Sequence, residues 1–207
     1  MEEAVRKTTG ELIRDSLKSS MGYLDYRLMV SRLALEGKST GSMESREHVD
    51  FTRLNDQRMK RLDKTIKIDA DSEAKITGVD KKTTWLVLTE SWCGDAAQTL
   101  PIMNKIADLN ENISLRLVLR DENLELMEQF LSNGAMAIPK LIAIDETTGK
   151  VTGVWGSRPS IATKMVQDYK SKYGKLTAEF KQDLQLWYNK DKGQNTVSDL
   201  LSLLFLK

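Results

Sequence analysis

An α/β fold built on a central sheet follows from three features of this 207-residue sequence. Four short apolar or alternating runs, at 84–89, 114–119, 140–145 and 151–155, have the length of strands. Helix-period segments at 95–109 and 123–132 separate the first three runs, as in βαβ units. Turn-forming residues punctuate the runs: Asn110-Glu111-Asn112, Asn133-Gly134 and Thr147-Thr148-Gly149. A further helix is expected at 160–173, entered through Gly156-Ser157-Arg158-Pro159 with the proline near its first turn.

Ahead of this unit, residues 1 to about 36 read as one helix. Ile13, Leu17, Met21, Leu24 and Leu28 recur at spacings of three and four, and Leu33 extends the stripe. The turn residues of 37–42 come next, and a second helix is expected from Ser42 or Ser45 to about Lys64. Its inward positions would be Phe51, Leu54, Met59 and Leu62. Residues 65–68 alternate polar and apolar, which suits a short strand or an extended link. Two such helices bury too little alone, so they are expected to pack as a hairpin against the core domain. At the other end, helices are expected at 177–189 and 196–206. The domain reading is therefore a helical extension at 1–78, a core domain at 79–174 and a C-terminal helical extension at 175–207.

Composition narrows the function. Thirty-one basic and thirty acidic residues leave a net charge of +1, so no global field favours nucleic acid or a membrane surface. The basic stretch 53–67 also carries Asp56 and Asp63 and reads as a solvated helix face. No apolar run reaches the roughly 18 residues of a membrane span, and the start lacks a basic-then-apolar leader. A single cysteine excludes an internal disulfide and fits a reducing, cytoplasmic setting. A single histidine, His48, lies in the N-terminal extension, so neither a multi-histidine metal site nor a Cys-His pair is signalled. No Gly-rich phosphate loop is present, and no cofactor is expected.

The cysteine itself is well placed. Cys93 falls where the first strand turns into the first helix, and unpaired N–H groups and the helix dipole stabilise a thiolate there. Asp95, two residues on, opposes this by like charge and competes for the same N–H groups. The alternative is a half-buried structural cysteine.

Trp92-Cys93-Gly94-Asp95-Ala96 resembles the W-C-G-P-C active-site segment of thioredoxins, at the same strand–helix junction. Pro101 matches the mid-helix proline of that fold, and the wider stretch is similar to bacterial thioredoxin-like proteins carrying W-C-G-D-C. The resemblance spans about 80–173 and implies a thioredoxin fold, a mixed sheet with helices on both faces. It also implies that Ile138-Pro139 is the cis proline beside the cysteine, its backbone free to pair with an extended peptide. An ordinary trans proline opening a strand is the alternative. Trp92 would flank the thiol or else sit in the core, and Gly94 would supply backbone freedom. The departures are Asp95 in place of the proline and Ala96 in place of the resolving cysteine, so no dithiol cycle is possible within the chain.

Arg120-Asp121-Glu122-Asn123 resembles a segment that recurs in the W-C-G-D proteins, although Asp121 is read first as a helix cap. Arg158 lies on the same expected face and is read first as a surface arginine. The residues before Cys93 do not match the peroxiredoxin pattern, and Cys93-Gly94-Asp95-Ala96 lacks the C-G-F-S of cluster-binding monothiol glutaredoxins.

Two functions remain. In the first, Cys93 exchanges with a protein or low-molecular-weight thiol or disulfide, and an external thiol resolves the mixed disulfide. Cys93 would be the catalytic residue, surrounded by Trp92, Gly94, Asp95, Ala96, Ile138 and Pro139. In the second, a redox-inactive thioredoxin fold binds a protein or peptide, and its helical extensions serve that role. The sequence does not give the oligomeric state.

Overall fold

The computed structural model describes residues 7–41 and 45–205. The outermost parts of the expected terminal helices and the alternative helix start at Ser42 lie outside the described residues. The elements are α1 (Thr9–Ser19), α2 (Tyr23–Glu36), α3 (Arg46–Thr65), α4 (Ala70–Thr77), β1 (Thr83–Thr89), α5 (Gly94–Ala107), β2 (Ile113–Leu119), α6 (Leu124–Glu128), β3 (Lys140–Asp145), β4 (Val151–Gly156), α7 (Ser160–Tyr173), α8 (Ala178–Asp191) and α9 (Gln194–Leu204).

The sheet runs β2-β1-β3-β4, with β1 parallel to β2 and β3 antiparallel to both β1 and β4. Val87 is paired across to Leu117 on one side and Leu141 on the other. All of β1 is buried, because a central strand covered by helices on both faces has no solvent side. This is the α/β thioredoxin-type architecture expected from the sequence. The core unites β1, β2 and β3 with Leu100, Met103 and Ile106 of α5 and Val197, Leu200 and Leu203 of α9. A separate small cluster joins α7 to α8 through Ala162, Val166, Phe180, Leu184 and Tyr188.

Three local expectations are corrected, and one short helix, α4, is added after the extended link. The first helix is two. Thr8 caps α1 in a reciprocal box with Glu11, but the helix ends at Ser19 because Met21 joins the sheet. Met21 exchanges two 2.9 Å backbone hydrogen bonds with Leu117, covering the exposed side of β2. The helical phase restarts after this break, so α2 buries Tyr26 and Val30 and leaves Leu24 and Leu28 at 70% and 62% exposure.

On α3, Met59 and Leu62 are buried as expected, but Phe51 and Leu54 are exposed. Thr52 and Asn55 take the inward positions instead, because they face polar backbone and hydroxyl groups of the loop after β1. Residues 66–69 form an extended link that joins no strand, and α4 comes after it. Asp69 caps α4 by accepting from the Ser72 N–H at 2.9 Å, and Ile76 alone anchors it in the core. One buried residue in eight gives no periodicity to read. The expected helix at 123–132 is a single 3-10 turn, Arg120–Glu122, followed by the short α6. Leu124 and Leu131 stay exposed while Leu126 and Met127 are buried, and Asn133 and Gly134 reverse the chain at positive φ.

Candidate functional site

The site grows from the end of β1. Asn55 Nδ2 on α3 donates to the Ser91 carbonyl at 2.9 Å, and Ser91 N–H donates to Thr40 Oγ1 at 2.8 Å. These bonds tie the turn to the N-terminal helices and fix the path into α5. Cys93 is the N-cap of α5, and its Sγ accepts from the Ala96 N–H at 3.4 Å. The thiol donates in turn to the Ile138 carbonyl at 3.3 Å. The Ile138–Pro139 peptide bond is cis. Gly156 packs against this segment at φ +116°, where a Cβ would stand 2.2 Å from the Pro139 carbonyl oxygen, so only glycine fits. That close approach brings Ser157 and Arg158 to the cysteine's cleft.

Cys93 is only 7% exposed. Burial, followed by the charge of Asp95, pushes its thiol up to about 12 against the opposing pull of N–H groups and Arg158. The helix N-terminus therefore loses to desolvation. Asp95 is also buried, and Arg158 Nη2 lies 2.7 Å from its Oδ2 while Tyr188 Oη donates to its Oδ1 at 2.9 Å. Burial still raises the Asp95 carboxyl above its usual range, although Arg158 and Tyr188 oppose this. Buried Glu90 accepts from the Asp121 N–H through Oε1 at 2.9 Å, and burial raises its carboxyl too.

Trp92 forms a wall beside the thiol. The His48 ring stacks on it at 4.3 Å between centroids and 8° between planes, and the Arg120 guanidinium lies 5.1 Å from its ring centroid. Among the described residues, Trp92 Nε1 and His48 Nδ1 are buried with no hydrogen-bond partner. In front of these side chains opens a cleft of about 820 Å³, within the range of ligand sites. Phe51, Met136 and Leu176 give it apolar walls.

Of the residues singled out from sequence, Cys93, Trp92, Gly94, Asp95 and Ile138 line this cleft. Ala96 is buried beneath the thiol and serves it through its backbone, while Pro139 lies behind Ile138. Arg158 is not a surface arginine, because it is ion-paired to Asp95. Asp121 is not a helix cap, because its carboxylate pairs with Arg120 at 2.6 Å. Within the basic stretch, Arg58 lines the cleft and is no purely solvated charge. His48, Tyr188 and Gln185 were missed as site residues, and Arg58 falls in a polar stretch, 58–63, that could face a cleft but that packing and surface charge explain equally well from sequence. One signal was available for the α3 residues: His48, Thr52, Asn55, Met59 and Leu62 recur at spacings of three and four. Among the described residues, no group of three or more His, Cys, Asp or Glu side chains is placed to hold a metal ion.

A thioredoxin family model matches residues 42–170, more than half of the chain and all four strands. The protein belongs to the thioredoxin family. The match begins before α3 and ends within α7. The chain is similar to a Pseudomonas aeruginosa protein of unknown function at 18% identity and a TM-score of 0.59. That comparison covers 73% of this chain and 84% of the other. It is similar also to an HIV epitope-scaffold at 16% identity and a TM-score of 0.56, over 89% of this chain and 98% of that one. Both likenesses concern the fold. No curated protein matches this thioredoxin-family chain. Among its described residues, no helix is long and apolar enough to cross a membrane.

Proposed function

We propose that this thioredoxin-family protein is a redox-silent binding module whose ligand, a protein segment or peptide, occupies the cleft in front of Cys93. The observation that carries the reading is the thiol's own hydrogen bond: Cys93 donates to the Ile138 carbonyl from a buried position. A thiol used as a donor in a dry site is a neutral thiol, and the neutral form is a poor nucleophile. Ala96 stands where a resolving cysteine would act, which removes the second half of an exchange cycle. The cleft retains apolar walls and basic side chains, the equipment of binding. We take residues 79–174 as the core, with the flanking helical extensions completing the cleft walls through His48, Arg58 and Gln185. The single thiol supports a reducing, cytoplasmic setting.

The second reading is monothiol exchange of the W-C-G-D type, favoured by the Ala96 N–H aimed at Sγ. In that reaction the Cys93 sulfur attacks one sulfur of a disulfide, and the S–S bond breaks. The departing thiolate takes up the proton that Cys93 releases. A second, external thiol then attacks the mixed disulfide, regenerating the Cys93 thiol and forming a new disulfide, so electrons balance without another oxidant.

Incubation with 2,2′-dithiodiethanol at neutral pH, followed by intact-mass measurement, separates the two. The binding reading expects no adduct on Cys93 over hours. An adduct formed within minutes, absent from Cys93→Ser, would replace it with exchange.

A further inference from the structure

Two hydrogen-bond donors, Arg58 and Gln185, converge in the cleft over Gly94. Arg58 reaches from α3 over Gly94, its Nη1 lying 3.4 Å from the point where a Cβ on Gly94 would stand. Gln185 Nε2, from α8, lies 3.7 Å from the same point. The hydrogen bond Arg58 makes among the described residues goes to a neutral group, Asn55 Oδ1 at 3.0 Å, and it enters no ion pair there. The Gln185 oxygen is already taken by Gln98 Nε2 at 3.0 Å, which leaves its amino group facing Arg58. Burial and the neighbouring Arg61 weaken the hold of Arg58 on its charge and the Asp95 carboxylate only partly offsets them, a penalty that a bound anion relieves.

The wider cleft agrees in sign. Arg58, Arg120, Arg158 and Lys181 line it against Glu47 and Asp95; Arg158 pairs with Asp95 and Arg120 with Asp121, which leaves Arg58 and Lys181 against Glu47. Beside the two donors, Phe51, Met136 and Leu176 offer apolar surface, and the whole cleft far exceeds the volume of a lone small acid.

We propose that Arg58 and the Gln185 amide form a carboxylate-binding subsite for an acidic side chain of an extended peptide. The peptide's adjacent apolar side chain lies against Phe51, Met136 and Leu176. The inference rests on reading the cleft as a binding site and adds the chemistry of what it binds. Charge-assisted, forked hydrogen bonds from a guanidinium are well suited to a carboxylate.

The test is a ¹H–¹⁵N correlation titration of the full chain with sodium acetate, with blocked acetyl-leucyl-glutamate amide and with its glutamine counterpart. The Gly94 amide and Gln185 side-chain signals are expected to move saturably with acetate and with the glutamate peptide. The peptide should bind about tenfold more tightly than acetate, equivalent to roughly 1.4 kcal/mol. Arg58→Gln should abolish both responses, and Arg58→Lys should keep a weaker one. Equal binding of the glutamine peptide, or an unchanged response in Arg58→Gln, overturns the subsite. Equal affinity for acetate and the glutamate peptide overturns the peptide source. If both peptides move the Trp92 indole signal while acetate moves nothing, the subsite falls and the binding cleft stands. If no probe moves any cleft signal, the subsite falls with it.

Discussion

Helix α3 has two polar faces that behave differently. One faces α2, where Arg27 lies between Asp56 and Asp63, its Nη1 3.2 Å from the first and its Nε 3.0 Å from the second. Ser31 donates to Asp56 at 2.6 Å and Tyr23 donates to Asp63, so every charge has partners of opposite character. The other face looks into the cleft, where Arg58 hydrogen-bonds an amide oxygen and, among the described residues, enters no ion pair. There Arg158 Nε, His48 Nδ1 and Trp92 Nε1 are buried without partners among the described residues. Both faces border cavities, of about 600 Å³ and about 820 Å³. Size does not separate them. Saturation does: the α2–α3 seam has used its polar capacity to hold helices together, and the cleft has kept its own in reserve.

The sharpest test of that contrast is the thiol in the cleft. With Cys93 pushed up to about 12, its thiolate at pH 7 should be about three-thousandfold scarcer than that of a free cysteine near 8.5. Iodoacetamide alkylation should therefore be slower by that order and rise about tenfold per pH unit from 8 to 11, as expected for titration well below the midpoint. The charged and titratable groups bearing on it come from every neighbour: Asp95 on α5, Arg158 before α7, Tyr188 on α8 and Tyr26 on α2. A rate that levels off by pH 9 would break the comparison, because the cleft would then hold an open, activated thiolate.

The seam should answer in stability. Arg27→Met leaves two partly buried carboxylates without their cation and is expected to cost about 2 kcal/mol, below the figure for fully buried pairs because both partners are partly exposed. Urea unfolding measures this. Cys93 alkylation should not change in the same variant, and a coupled change would show that seam and cleft are one unit.

These two regions also mark how far the sequence could be read. The strands were legible because apolar runs such as Trp85-Leu86-Val87-Leu88 report burial directly, and the turn residues between them set the order. Cys93, Asp95 and Ile138 were legible because the chain places them at a junction with a readable pattern. Arg58 and Gln185 stand 127 positions apart and meet only because α3 and α8 converge over α5, which no local signal encodes. The break at Met21 was hidden for a related reason. Its partner, Leu117, is on a distant strand, and the apolar stripe ran through the break without interruption. Helix-start placement promised a stabilised thiolate at Cys93, and burial reversed the sign, a quantity that emerges only from packing.

A smaller effect is expected at Asp95. Burial is the larger cause of the raised Cys93 thiol and the Asp95 charge the second. Asp95→Asn removes only the second and frees Arg158, whose cation favours the thiolate. Cys93 should titrate about one unit lower, with alkylation at pH 8 about tenfold faster. No acceleration would mean that burial alone holds the thiol neutral.

The smallest change should come from Arg58→Gln, the cleft counterpart of the Arg27 variant. Arg58 and Arg27 are half-buried or deeper arginines on facing parts of the same helical layer, and contact energetics by residue type would predict similar losses. Pairing predicts otherwise. Removing Arg27 strands two carboxylates, whereas removing Arg58 frees the Asn55 amide oxygen, takes a secondary cation from Asp95, which keeps Arg158, and relieves a charge that burial and Arg61 disfavour. Unfolding free energy should therefore stay within about 0.5 kcal/mol of the parent, or rise. Urea midpoints of the two variants, measured side by side, give the answer as a difference. A loss at Arg58 as large as that at Arg27 would mean that Arg58 is already satisfied within the fold, and the reserve that sets the cleft apart from the seam would be gone.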